Sequence, residues 1–289
     1  MSVQNQKQTK LLLIGETGVG KSSLGNFILE RTVFTVDYST NSVKKDVAGY
    51  FGKYERKDLF VIDTPGLQDT QELNEKFLND IVEYVKKQGG INGIILTIDF
   101  NEERFSANLQ FIINVISDVF TIKDIWKRVC IVWNKCDIDE VRGIGKNNKV
   151  VKQQFKKDLV EFISQTNDDI EIPMYYVDLQ PEEYDDIKRS EKEIERLIEW
   201  GRGLKSIDEE EIKKAISKYK EIRYEEKEEK GKIIKETKSD ITNEINTYKR
   251  CIQINNDGEE IQGKWYLFST RTITEKKRNE DSSYGCVVM

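Results

Sequence analysis

Gly15-Glu16-Thr17-Gly18-Val19-Gly20-Lys21-Ser22 sets three glycines, a lysine and a serine in the order G-x-x-x-x-G-K-[ST]. These residue types at this spacing can hold a polyphosphate. Glycine removes Cβ where successive backbone N–H groups must bend toward one anion. A helix opening at Lys21 adds the positive end of its dipole. Lys21 is the candidate catalytic lysine and reaches the β- and γ-phosphates, while Ser22 offers an oxygen to Mg²⁺. Ser23 completes the phosphate-binding set.

Two further motifs close apolar runs. Asp63-Thr64-Pro65-Gly66 ends the run 59–62. An acid there can hold Mg²⁺ directly or through water, and Gly66 can bring its backbone N–H to a γ-phosphate. Asn134-Lys135-Cys136-Asp137 ends the run 129–133. Guanine presents N1–H and N2–H₂ as parallel donors. One carboxylate, that of Asp137, accepts both, and adenine offers no such pair. Asn134 ties this loop to the glycine loop, and the Lys135 stem lies over the base. The implied ligands are GTP or GDP with Mg²⁺. A P-loop kinase or ATPase does not account for Asp137.

Composition removes other chemistries. The chain has no histidine, which excludes Ser-His-Asp and Cys-His catalysis and histidine-based zinc sites. Its four cysteines (130, 136, 251 and 286) lack metal-ligand or disulfide spacing, as expected in a reducing cytosol. A net charge of −6 without a basic block argues against nucleic acid as a partner. No apolar run reaches the roughly 18 residues of a spanning helix. The polar start lacks a signal-peptide core, so a cytoplasmic protein is expected.

Positioning these motifs requires a buried sheet. Short apolar runs at 10–14, 59–62, 93–99, 129–134 and 174–177 read as strands covered on both faces. Helical stretches at 22–29, 72–88, 104–119 and 148–165 alternate with them. The pattern predicts an α/β fold with a mostly parallel sheet and helices on both faces. Residues 47–54 have no helix before the next strand and are expected to pair with it as an antiparallel edge. Ligands bind such sheets at the carboxyl ends of the strands, where all three motifs fall.

Together the motifs resemble the Ras-like P-loop GTPase superfamily. More narrowly, GETGVGKSSLGNFILE (15–30), VIDTPGLQDT (61–70) and GIILTIDFNEERFSANLQ (93–110) resemble the avrRpt2-induced, immunity-associated (GIMAP-like) branch, related to septins and chloroplast Toc GTPases. The likeness spans about residues 10–200. It implies GTP binding, hydrolysis to GDP and phosphate, and switch loops at 35–46 and 63–72 that order around the γ-phosphate.

Departures qualify that expectation. Where the branch has a switch threonine, this chain has Lys44; Thr40 is taken as the magnesium ligand, with Ser39 and Ser42 as alternatives. Ras-like enzymes orient water with a glutamine directly after D-x-x-G; Leu67 stands there, so turnover should be slow. Val177-Asp178-Leu179 stands where the branch often has an asparagine after the acid. The resemblance aligns Arg104 with an arginine at a nucleotide-facing dimer interface. The second candidate catalytic residue is therefore Arg104, offered across a homodimer or oligomer through the switch face. The alternative function is a dimerising scaffold gated by nucleotide, with little hydrolysis.

Charge density shifts near Pro181. Half of the 46 basic and half of the 52 acidic side chains fall in residues 1–180, the other half in the shorter remainder. The expected organisation is a G domain at 1–205, a helical and β-hairpin extension at 206–275, and a flexible tail at 276–289. Ile187, Ile194, Leu197 and Ile198, then Ile212, Ile216, Tyr219 and Ile222, then Ile241 and Ile245 suggest polar helices with narrow apolar stripes. Gly201 and Gly203 are expected to separate the first helix from the second. Residues 251–254 and 265–273 flank Asn256-Asp257-Gly258 as a hairpin. The ending Cys286-Val287-Val288-Met289 fits C-a-a-X, which makes Cys286 a candidate prenylation site and peripheral membrane attachment an expectation.

Overall fold

The computed structural model describes residues 8–36, 46–66, 80–101, 107–120, 124–136, 147–163, 171–179, 184–207, 219–255 and 257–276. A six-stranded sheet forms the first layer. Its strands are β1 (Thr9–Ile14), β2 (Ala48–Phe51), β3 (Leu59–Asp63), β4 (Gly93–Asp99), β5 (Val129–Asn134) and β6 (Met174–Tyr176), in the order β2-β3-β1-β4-β5-β6. Only β2 runs antiparallel, pairing with β3 from Ala48 opposite Asp63 to Phe51 opposite Phe60. The other neighbours are parallel.

The continuous apolar strands serve two cores at once. In β1, Leu11 and Leu13 join one cluster while Leu12 and Ile14 join the other. The first cluster is covered by α1 (Lys21–Leu29) through Leu24 and Ile28, and by a helix at its far side through Ile194, Leu197 and Ile198. The second is covered by α2 (80–87), α3 (Ala107–Val119) and α4 (Asn147–Ile163), with Val85, Ile112, Ile116, Phe155 and Leu159. Each fully buried aliphatic side chain contributes about 1.5–3 kcal/mol. The two-sided apolar strands thus leave the phosphate- and base-binding motifs at the strand ends, with few polar side chains, such as Thr97, buried within the sheet.

The far helix of the first cluster is α5 (Tyr184–Gly203), which ends at the glycine pair expected to close it. Gly201 lies in its last turn and Gly203 is its last residue, so the helix stops at this pair. A Cβ at Gly201 would lie 3.1 Å from the Leu11 side chain, so this glycine serves close helix–sheet packing.

The larger correction concerns the extension. The described residues of 219–276 carry four strands: β7 (Tyr219–Glu236), β8 (Asp240–Asn255), β9 (Glu260–Gln262) and β10 (Tyr266–Lys276). They make an antiparallel sheet in the order β10-β8-β7, with β9 also on β8. The helical extension read from Tyr219, Ile222, Ile241 and Ile245 is therefore wrong. A spacing of four, as between Ile241 and Ile245, returns to the same side of a helix and to the same face of a strand alike. The decisive signal is period two: Ile245, Thr247, Lys249 and Cys251 are all buried on one face. Residues 212 and 216 lie outside the described residues.

The expected hairpin is present with different partners. Ile252 and Ile254 face Gln262 and Glu260 across the turn containing Gly258 (φ +85°), while β10 pairs with residues 240–249. The long β7–β8 ribbon replaces apolar pairs with ionic ones, among them Arg250–Glu225 (2.6 Å) and, from β10, Arg271–Glu228 (2.9 Å). The sheet meets the first layer at α3, where Phe111 makes edge-on contacts with Tyr224 and Phe268.

Candidate functional site

The glycine loop lies between β1 and α1, where two of its glycines have no substitute. Gly20 has φ +91°, and a Cβ there would come within 2.1 Å of the Asn134 amide nitrogen. Gly15 packs on β4 so closely that a Cβ would lie only 2.3 Å from the Thr97 carbonyl oxygen. α1 begins at Lys21, so its first N–H groups and dipole face the same loop. The Lys21 ammonium curls back over that loop, donating to the carbonyls of Glu16 (2.7 Å) and Gly15 (3.1 Å).

Ser22 and Asp63 meet at the head of α1. The hydroxyl donates to a carboxylate oxygen at 2.6 Å, joining the helix to the end of β3. Both are oxygen donors of the kind Mg²⁺ accepts, and Mg²⁺ ordinarily takes one or two protein ligands and completes its shell with phosphates and water. Among the described residues no group of three or more acidic or cysteine side chains could hold a metal alone. A serine hydroxyl and a carboxylate side by side fit a cation that shares its shell with a bound polyphosphate. Gly66 leans against the glycine loop: a Cβ would lie 2.3 Å from the Thr17 hydroxyl and 2.7 Å from its backbone nitrogen. Thr64 anchors this segment by donating to the Leu13 carbonyl at 2.7 Å.

The β5 motif meets the glycine loop directly. The Asn134 amide donates to the Val19 carbonyl at 2.8 Å, as its sequence role requires. Lys135 adopts φ +60°, a left-handed conformation costly for a lysine, and such strain is retained where surrounding contacts over-determine it. One such contact is with Asp99, at 2.6 Å. Burial pushes the Asp99 carboxyl up, but the Lys135 ammonium and the Asn101 donors outweigh it and hold the group below the usual carboxylate range. Asp99 is a site residue that sequence reasoning missed, although it ends an apolar strand just as Asp63 and Asn134 do. Lys152 of α4 supports this corner, donating to the Phe100 carbonyl at 2.5 Å with its ammonium 4.2 Å from the centre of the Trp133 ring.

The structure thus gathers Gly15, Glu16, Thr17, Gly18, Val19, Gly20, Lys21, Ser22, Ser23, Asp63, Gly66, Asn134 and Lys135 at the strand ends around one loop. Asp137, Thr40, Arg104, Lys44, Leu67 and Cys286 lie outside the described residues.

A mostly parallel sheet with one antiparallel edge, a glycine loop capping its first helix and a serine–aspartate pair beside it define the chain as a P-loop protein of the Ras-like GTPase fold. The match to a family model is more specific. It covers residues 9–171, and the chain belongs to the AIG1 family. Immune-associated nucleotide-binding protein 13 of Arabidopsis thaliana is 26% identical over 233 residues, covering 69% of each chain. GTP-binding protein A of Dictyostelium discoideum is 32% identical over 133 residues, 44% of this chain and 28% of that protein. The chain spans between a quarter and just over half of the length of the first curated relatives it matches. Two structures of Toc33 from Arabidopsis thaliana share the fold. The complex with Mg²⁺ and GMPPNP has a TM-score of 0.54 at 17% identity, and a dimerization-deficient mutant has 0.55 at 16%; each match covers 70% of this chain and 88% of that one.

Proposed function

We propose that the protein binds GTP with Mg²⁺ and hydrolyses it slowly to GDP and phosphate, acting as a nucleotide-controlled switch or assembly factor at a membrane. The observation that carries this reading is the Asn134–Val19 hydrogen bond, which joins the loop after β5 to the glycine loop. In that arrangement, Gly15–Ser23 wrap the phosphates, Lys21 moves from its loop carbonyls to the phosphate oxygens, and Ser22 and Asp63 hold Mg²⁺. That ion supplies the charge that neutralises the β- and γ-phosphates. Asp137 reads the guanine edge. Gly66, packed on Thr17, is the part of the second switch that senses the γ-phosphate.

The finer parts of the proposal have separate supports. Self-association through the Arg104 face draws on the Toc33 mutant described as dimerization deficient. Membrane attachment rests on Cys286 within its C-a-a-X sequence, and Cys286→Ser would leave the protein in the soluble fraction. Leu67 in place of a glutamine supports slow turnover. Calorimetry with GTP and ATP tests the core reading. GTP should bind at least about a hundredfold more tightly, and Asp137→Ala should remove most of that difference. Equal affinity for the two nucleotides overturns it.

A further inference from the structure

A helix outside the nucleotide motifs holds both loops on the base side of the pocket. Arg189 of α5 donates through Nη2 to the carbonyl of Cys136, in the loop after β5. Through Nη1 it donates to the carbonyl of Tyr176, the last residue of β6, at 3.3 Å. One turn of the same helix adds two more ties. Ser190 accepts from the Asp178 backbone N–H at 2.9 Å, and Glu193 accepts from that of Tyr176 at 3.3 Å. The Cys136 N–H donates to the Val177 carbonyl at 3.0 Å. Cys136 is thus held on both sides of its backbone, and it is fully buried.

We propose that Arg189 is a positioning residue for nucleobase recognition, acting through the peptide between Cys136 and Asp137. This rests on the guanine reading above. The carbonyl that Arg189 holds is part of the planar peptide unit that contains the Asp137 N–H. Fixing one end of that plane fixes where the chain leaves for Asp137. A carboxylate that must accept two parallel donors tolerates displacements of only about 0.5 Å and 10–20°. The guanidinium suits this task because its planar fork spans two carbonyls, where a lysine ammonium is a single flexible point. Both carbonyls belong to the base side of the pocket, at the ends of β5 and β6, and neither to the glycine loop. Loss of Arg189 should therefore alter how the base is read and leave phosphate binding intact.

Calorimetry on the full chain tests this with GDP, IDP and ADP. IDP lacks the exocyclic amine and so offers the carboxylate one donor instead of two. The wild type is expected to prefer GDP over IDP, and both over ADP. In Arg189→Met the GDP-over-IDP ratio should fall about tenfold while ADP affinity stays within twofold; Arg189→Lys should be intermediate. If Arg189→Met does not fold, Arg189→Lys alone carries the test, with a fall of about threefold expected and an unchanged ratio overturning the proposal. Equal loss for all three nucleotides, or an unchanged ratio, means a purely structural role and overturns it. If Asp137→Ala abolishes the preference while Arg189→Met preserves it, only this proposal falls. No GDP preference in the wild type overturns the guanine reading, and this proposal with it.

Discussion

The amide of Asn134 lies 2.8 Å from the carbonyl of Val19 and occupies the space that a Cβ on Gly20 would need. One side chain therefore both ties the base loop to the phosphate loop and explains a glycine far earlier in the chain. Gly20→Ala should weaken guanine-nucleotide binding tenfold or more, because a left-handed alanine costs about 1–2 kcal/mol and its methyl displaces the amide. Asn134→Ala should weaken binding too, by removing the tie. Combined, the two should cost less than their sum, since the methyl no longer has an amide to displace. Titration with a fluorescent guanine nucleotide measures all four states; strict additivity would mean that the loops are not coupled through this contact.

The Ser22–Asp63 pair predicts how affinity depends on magnesium. Removing Mg²⁺ from the wild type should weaken GTP binding substantially. Ser22→Ala and Asp63→Asn should bind GTP roughly 10–100-fold less well in magnesium and respond little to a chelator. The measurement is GTP affinity with and without excess EDTA. A variant that keeps the full wild-type response to the chelator would remove its residue from the metal site.

Arg104 makes a prediction about concentration. If it acts across an interface between two copies, GTPase rate per molecule should rise with protein concentration in the wild type, by about tenfold or more. Arg104→Ala should abolish the rise while leaving nucleotide affinity near wild type. A rate that is flat in both proteins eliminates the role.

Part of this molecule can be read from local sequence, and the division has a physical cause. The glycine loop is legible because its requirements are local: φ at Gly18 and Gly20, and a strand before and helix after. Asp63 and Asn134 stand out because each ends an apolar run. The Lys135–Asp99 ion pair and the Arg189–Cys136 bond join residues far apart in sequence, and no local pattern announces them. The extension misleads because Ile241 and Ile245 satisfy both periods. The charges of the extension also look like the solvated face of a helix, whereas cross-strand pairs such as Arg250–Glu225 take up several of them.

Acid should expose a fastening between α5 and the β2–β3 turn. Arg202 grips Asp58 with two hydrogen bonds, at 2.8 and 2.7 Å, and donates to the Glu55 carbonyl at 2.9 Å. Burial pushes the Asp58 carboxyl up, yet the guanidinium prevails and holds it below the usual carboxylate range. A carboxyl depressed in the folded state stabilises it above the unfolded value, near pH 4, and loses that contribution as pH falls through the lower folded value. Arg202→Gln should cost about 0.5–1 kcal/mol at neutral pH, since the pair is partly exposed. The gap between variant and wild type should close below about pH 4. Urea midpoints across pH 3 to 7 report it, and a constant gap would assign the loss to packing.

Lys249 decides how the second sheet is joined to the first layer. The residue is 1% exposed, its ammonium 3.4 Å from the centre of the Phe268 ring and 5.4 Å from that of Phe111, and it pairs with Glu226 at 2.8 Å. It therefore bridges α3, β7, β8 and β10 at the point where the layers meet. Two effects compete when it is replaced. Truncation to alanine leaves a cavity between two aromatic rings and strips Glu226 of its cation, which together should cost about 2–4 kcal/mol. Methionine fills most of the same volume and makes favourable sulfur–aromatic contacts, while the half-exposed Glu226 can turn to water. Lys249→Met should then cost less than half as much as Lys249→Ala in urea unfolding. If methionine is as damaging as alanine, the ion pair rather than the filled space between Phe111 and Phe268 holds the sheet to α3.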